Sequence, residues 1–177
     1  MDKISIGLIG YGVVGKGVVK MLNQQKNLLK NKFNTEFVLK TLCDRSVHKK
    51  LPKGLGKVHL TTDVEAILND NSIDVVVELI GGMKLAKTIV RKALKSGKHV
   101  VTANKELIAN CGKELFQIAQ KSNTHLYYES AVGAGIPIIK TISEGIAGNK
   151  FNNIYGIVNG TCNYILTEMT KNNLSFD

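Results

Sequence analysis

The pattern Gly-x-Gly-x-x-Gly at residues 10–15, Gly10-Tyr11-Gly12-Val13-Val14-Gly15, lies between two segments of different periodicity. Before it, Ile4-Ser5-Ile6-Gly7-Leu8-Ile9 is a short apolar run of the kind that forms a strand buried on both faces of a parallel sheet. After it, Val14, Val18, Met21, Leu22 and Leu29 recur near helical spacing among lysines and glutamines, which predicts a helix from residue 13 to about 29 with a C-terminal extension. A strand, a glycine turn and a helix in that order leave the backbone few choices. Gly10 permits the tight turn, Gly12 removes a Cβ from the path of a diphosphate, and Gly15 lets the helix pack closely on the strand. The helix then offers free N–H groups and its positive dipole end to the anion, so Gly10, Gly12, Val13, Val14 and Gly15 are candidate dinucleotide-binding residues.

The rest of the chain continues the alternation. Phe37-Val38-Leu39-Lys40-Thr41-Leu42-Cys43 predicts a second strand, and residues 62–68 a short helix with Thr62 and Glu65 at capping-box spacing, the two separated by a basic loop. Residues 73–80 predict a central strand stopped by Gly81-Gly82, followed by an amphipathic helix through Ala93 and Leu94 that ends near Gly97. Residues 99–102 predict a strand, 106–120 a helix, 125–129 a strand, then a helical stretch runs to about Ala147 and a strand-like segment covers 154–158. Strands alternating with helices imply right-handed crossovers and helices on both faces. The expected fold is α/β, a Rossmann-type doubly wound parallel sheet over residues 1–150. A single helix-like segment, 162–171, is too little for an independent second domain, so residues 151–177 are expected to be the beginning of a truncated α/β substrate domain.

Composition narrows the function. No window approaches the roughly 18 uninterrupted apolar residues of a membrane span, and the chain enters a strand-like run after Met1-Asp2-Lys3 without a signal-peptide pattern, so a cytoplasmic protein without membrane partners is expected. Cys43, Cys111 and Cys162 have no Cys-x-x-Cys spacing, and His48, His59, His99 and His125 no helical i, i+4 arrangement, which leaves a transition-metal site without support. A net charge of +10 attracts phosphate backbones. Arg45 and Arg91 are the only arginines, however, and base readout favours the planar guanidinium, so nucleic acid is not an expected partner.

Discrimination between NAD and NADP belongs at the end of the second strand, where Asp44 stands beside Arg45, 29 positions beyond Gly15. Asp44 suits the ribose hydroxyls of NAD. Arg45, with Lys49, Lys50, Lys53 or Lys57 nearby, suits a 2′-phosphate, and the balance leans to NADP with both dinucleotides able to bind. Thr102-Ala103-Asn104-Lys105 lies at the carboxyl end of a strand, the edge at which open parallel sheets bind ligands. Lys105 in a first helical turn opposes the macrodipole, so helix stability does not explain it, whereas Asn104 is a plausible N-cap.

These segments, together with Val77-Glu78-Leu79-Ile80-Gly81-Gly82, Tyr128-Glu129-Ser130-Ala131-Val132-Gly133-Ala134-Gly135-Ile136-Pro137 and Gly156-Ile157-Val158-Asn159-Gly160-Thr161-Cys162-Asn163-Tyr164-Ile165-Leu166, resemble homoserine dehydrogenases in identity and order along the whole chain. The resemblance implies NAD(P)-linked interconversion of L-homoserine and L-aspartate 4-semialdehyde, in the route to threonine, methionine and isoleucine. It implies that Lys105 is the catalytic lysine beside the nicotinamide and the reacting oxygen, stabilising alkoxide charge or taking part in proton transfer. It sets Ile80 and Gly81 beside the nicotinamide half of the cofactor. Glu129, with the carbonyls of Val132, Ala134 and Ile136, would hold a monovalent cation, sodium, on a glycine-rich turn. The residues alone read equally as a plain strand-to-helix turn. Gly160 and Thr161 would border the substrate, although Thr161 is also a good N-cap.

The chain departs from the family in length. It ends before the Asp-rich segment that carries the family's second lysine, and before most of the substrate-domain sheet through which full-length members form homodimers. The resemblance therefore implies a small-molecule substrate for the full-length enzyme and leaves open whether these 177 residues bind cofactor without turnover.

Overall fold

Strand β1 (Asp2–Ile9) becomes fully buried toward its carboxyl end and pairs in parallel with strands on both sides. The computed structural model that shows this describes residues 2–46, 51 and 54–175. Along the chain, β1 is followed by helices α1 (Val13–Gln24) and α2 (Lys26–Phe33), β2 (Thr35–Cys43), β3 (His59–Thr61), α3 (Glu65–Leu68) and β4 (Val75–Glu78). Helix α4 (Lys84–Lys95), β5 (His99–Thr102), α5 (Lys105–Lys121) and β6 (Leu126–Tyr127) complete a six-stranded sheet of order β3-β2-β1-β4-β5-β6. Every pairing is parallel. This is a Rossmann-type doubly wound sheet, in which the order reverses between β1 and β4.

Alternation along the central strands distributes their side chains to two cores. Ile6, Leu8 and Val77 pack with Val19 and Leu22 of α1 on one face, and Ile9 and Val76 pack with residues of α3, α4 and α5 on the other. Gly7 points at the second face, where a Cβ would stand 2.5 Å from Ile67 Cγ2. The absent side chain is what lets the short α3 sit on β1. Lys40 is the extra residue of a bulge between β1 and β2, because Ile6 pairs with Leu39 and Gly7 with Thr41.

Several local expectations are corrected. The helix predicted from residue 13 divides at Gln25, its expected C-terminal extension running to Phe33 as a second helix held by an ion pair from Lys26 to Glu36 at 3.0 Å. The capping box expected of Thr62 and Glu65 is not formed: α3 starts after Val64, Asp63 Oδ1 accepts Glu65 N–H at 2.9 Å, and the Glu65 carboxylate pairs with Lys92. Strand β3 lies inside the predicted basic loop and is three residues long, too short to show periodicity. The strand predicted over 125–129 shrinks to Leu126–Tyr127 at the sheet edge and is followed by a 3-10 turn, Glu129–Ala131.

The chain divides into two compact units, Met1–Ile139 and Lys140–Asp177, beside a sequence-based boundary drawn at 150. The second unit holds a π-helical turn (Thr141–Gly145) and a helix (Gly160–Asn172). Residues 154–158 pair with no strand among the described residues, so the strand expected there is not formed. No described helix is long and apolar enough to cross a membrane. Gly7→Ala is expected to destabilise the chain by about 1–3 kcal/mol, because buried, β-branched Ile67 has nowhere to move. Urea unfolding of the variant measures this.

Candidate functional site

At the carboxyl edge of the sheet, the chain leaves β1 and β4 in opposite directions and opens a crevice between them. Gly10 N–H donates to Cys43 O at 2.9 Å and Leu79 N–H to Ile9 O at 2.8 Å, which fixes both turns to neighbouring strands. The three glycines of the first turn are needed for different reasons. Gly10 has φ +101°, and a Cβ there would lie 2.6 Å from Leu79 O. On Gly15 it would lie 2.1 Å from Gly10 O, whereas on Gly12 it would meet nothing within 4 Å. The fold therefore requires Gly10 and Gly15, and Gly12 leaves room outside the fold.

Gly12 is the N-cap of α1, with no side-chain cap and no acidic residue in the first turn. The amide donors and positive dipole end are thus left to an external anion. Val13 and Val14 in that turn are 91% and 55% exposed, a heavy exposure for valine. The crevice has two parts that meet at Leu79 and Gly81. One, of about 550 Å³, runs from Gly10 and Gly12 past Asp44 and Arg45. The other, of about 430 Å³, runs from Val14 past Gly82 to Asn104 and Lys105. The glycine turn and Ile80-Gly81 border one part, and Gly81, Gly82 and Lys105 border its neighbour across Leu79 and Gly81.

At the end of β2, the Asp44 carboxylate accepts Tyr11 N–H at 2.7 Å through Oδ2 and Ser46 N–H at 2.8 Å through Oδ1. It braces the glycine turn against the loop after β2. Arg45 beside it is exposed and borders the larger part of the crevice. Lys49, Lys50 and Lys53 lie outside the described residues, as does His48, and Lys57 borders a different cleft with Lys3 and Lys26. Burial, then the Asp63 and Asp44 carboxylates, push the Cys43 thiol up, so it remains neutral there.

Lys105 is exposed at the first position of α5, not desolvated, and has no hydrogen-bond or ion-pair partner among the described residues. Asn104 caps that helix, accepting Leu107 N–H at 3.0 Å, and also donates from Nδ2 to Gly82 O at 2.7 Å. Buried Thr102 donates to Glu78 Oε2 at 2.6 Å and accepts Asn104 N–H at 3.0 Å, while Glu78 Oε1 accepts Ile80 N–H at 2.9 Å. Sequence reasoning singled out neither Glu78 nor Thr102 as site residues. The available signal was a carboxylate inside a run of valines, which is tolerated only when hydrogen-bonded.

In the Glu129 turn, Glu129 Oε1 accepts Ile139 N–H at 2.9 Å, and Gly133 and Gly135 have φ of +71° and +91°. The Gly133 carbonyl accepts Ile136 N–H and the Ile136 carbonyl accepts Ile138 N–H. One carboxylate with backbone carbonyls on a glycine-rich turn is a donor set chemically suited to a hard monovalent cation, and each carbonyl keeps a second lone pair. Val132 and Ala134 belong to the same turn, within the first unit. Gly160 and Thr161 open the helix of the second unit, whose cap is the Asn159 side chain, accepting Cys162 N–H at 2.9 Å, and not Thr161.

Residues 10–129 match the family model described as "Homoserine dehydrogenase, NAD binding domain", and residues 137–177 the model "Homoserine dehydrogenase". The chain is 41% identical over 171 residues to a homoserine dehydrogenase of Bacillus subtilis, covering 97% of this chain and 40% of that protein. It is similar to the crystal structure of a homoserine dehydrogenase from Thiobacillus denitrificans, with 40% identity and a TM-score of 0.89 over all of this chain and 41% of that one. A hyperthermophilic archaeal homoserine dehydrogenase in complex with NADPH is similar at 25% identity and a TM-score of 0.68, over 82% of this chain and 50% of that one. The chain spans about 40% of the length of the curated relatives it matches.

The distinct environments of the glycines lead to opposite expectations. Gly10→Ala, strained at φ +101° and in collision with Leu79 O, destabilises by at least about 2 kcal/mol. Gly12→Ala, at φ −74° with open space around it, leaves unfolding within about 0.5 kcal/mol of the parent. Denaturant titrations of the two variants check both.

Proposed function

Because the chain belongs to the homoserine dehydrogenase family, with residues 10–129 as its nicotinamide-dinucleotide-binding domain, we propose that the whole protein interconverts L-homoserine and L-aspartate 4-semialdehyde, with NADP as the preferred cofactor. The observation that carries this reading is that two neighbouring clefts sharing Leu79 and Gly81 are bordered by the uncapped start of α1 and Ile80 on one side and by Lys105 on the other. When bound, the nicotinamide supplies hydride exchange with the carbon that bears the reacting oxygen.

The amides at Gly12, Val13 and Val14 would bind the diphosphate, helped by the absence of an acidic residue in that turn. Arg45 would pair with a 2′-phosphate, and its exposure beside an Asp44 carboxylate already occupied by two backbone amides supports NADP over NAD. Ile80 and Gly81 would flank the nicotinamide. The Lys105 ammonium, unpartnered at the end of the crevice, would stabilise alkoxide charge or hold the proton exchanged with the substrate oxygen. Glu129 and the carbonyls of Val132, Ala134 and Ile136 would hold sodium. Thr161 would hydrogen-bond substrate, and Gly160 would allow it to approach the backbone.

For the 177 residues by themselves, about 40% of the relatives' length, the same reading gives dinucleotide binding without turnover. NADPH is expected to raise the melting temperature of this chain and NADH to raise it less. Arg45→Ala should remove that difference, and Gly12→Ala should abolish both shifts although the chain stays folded. No shift with either dinucleotide defeats the reading. In a full-length form, Lys105→Ala is expected to lower kcat by roughly 10²-fold or more with dinucleotide affinity nearly unchanged. Equal losses in both would show that Lys105 only binds.

A further inference from the structure

We propose that Glu78 is a positioning residue for the nicotinamide end of the crevice, acting through Thr102 and Asn104 to hold the Gly81-Gly82 turn against the start of α5. The inference rests on the cofactor reading above.

The bonds form one unbroken series. Ile80 N–H donates to one Glu78 oxygen, the Thr102 hydroxyl donates to the other, Asn104 N–H donates to Thr102, and the Asn104 amide donates to Gly82 O. The series begins at one end of the Ile80-Gly81-Gly82 turn and returns to its other end. Packing holds Ile80 but not the two glycines. Gly81 and Gly82 have φ of +65° and +70°, and a Cβ on either would meet nothing within 4 Å. Two consecutive glycines without neighbours have more backbone freedom than any other pair, so their conformation depends on what ties the ends.

Glu78 is 0% exposed, and a carboxylate in that position is costly unless its oxygens are satisfied. Valines fill the other three positions of β4, and a fourth would serve the sheet as well. The two side-chain bonds of Glu78 go instead to Ile80, which borders the crevice, and to buried Thr102, which holds Asn104 at its edge. The same Asn104 that tethers Gly82 also caps α5, so one side chain sets the turn and the first helical residue, Lys105, relative to each other. Preorganising both walls lowers the ordering cost of binding at that end.

The test compares NADPH with 2′-phospho-ADP-ribose, which lacks the nicotinamide, by calorimetric titration of the 177-residue chain. Asn104→Ser keeps a helix cap but removes the tether to Gly82. It is expected to weaken NADPH by about tenfold and the fragment by less than about twofold. Thr102→Val should show the same split, and Thr102→Ser, which keeps the hydroxyl, should restore NADPH affinity. Should Thr102→Val not fold, Asn104→Ser decides alone. Equal weakening of NADPH and fragment, or NADPH affinity unchanged in Asn104→Ser, overturns the positioning role. If either of those results is found with a parent chain that binds both NADPH and the fragment, the cofactor reading stands and only this inference fails. A parent chain that binds neither removes both.

Discussion

The hydrogen bond from Leu79 N–H to Ile9 O joins the carboxyl ends of β1 and β4 at the one place where the strand order reverses. Two parallel strands that diverge beyond their last shared bond leave a gap, and the chain must turn away on each side of it. On the β1 side the turn is too tight for any residue but glycine at position 10, whose would-be Cβ faces the carbonyl of Leu79 itself. On the β4 side the turn is loose and glycine-rich and is secured from below by side chains. The crevice thus has one wall set by backbone collision and another set by hydrogen bonds.

A buried ionisable side chain lies near each end of β4, Lys98 reaching in from the residue before β5 and Glu78 from β4 itself, and the two have different purposes. At its amino edge, Lys98 is 3% exposed and donates from Nζ to the carbonyls of Asp70 and Ile73 at 2.6 and 3.1 Å. Burial lowers its pKa from the ordinary lysine value, opposed by the nearby Asp70 and Asp74 carboxylates. It satisfies carbonyls of the loop that enters β4 and so helps to place the strand. At the carboxyl edge, Glu78 satisfies donors of segments that border the crevice. A buried charge is expensive in either place, and what distinguishes them is whether the groups they satisfy belong to the scaffold or to the ligand side.

The glycine turn, the parallel strands and the candidate lysine were legible in the sequence because each leaves a short-range mark. Gly10 and Gly15 mark close backbone approaches, continuous apolar runs mark strands covered on both faces, and Lys105 stands where its charge does not help the helix. Features set by distant partners were not legible. The capping box expected of Thr62 and Glu65 is absent, the Glu65 carboxylate being paired with Lys92 of α4 and its N–H bonded to Asp63. Residues 154–158 have strand composition but find no strand to pair with among the described residues. Asp44 reads as a ribose acceptor, and its bonds to Tyr11 and Ser46 depend on how two loops meet.

By itself, the order of residues determined that this chain would alternate strands and helices around a parallel sheet, with a turn after the first strand open to a diphosphate. Those properties follow from local sterics and side-chain periodicity, which act within a few residues. Only the tertiary structure decided that the glycine turn, the Leu79–Gly82 turn and Lys105 border two adjoining clefts, and that Glu78 is joined to Asn104 through Thr102. Parallel pairing of β4 between β1 and β5 creates those neighbours across tens of residues, and no local pattern encodes which donors a buried carboxylate will meet.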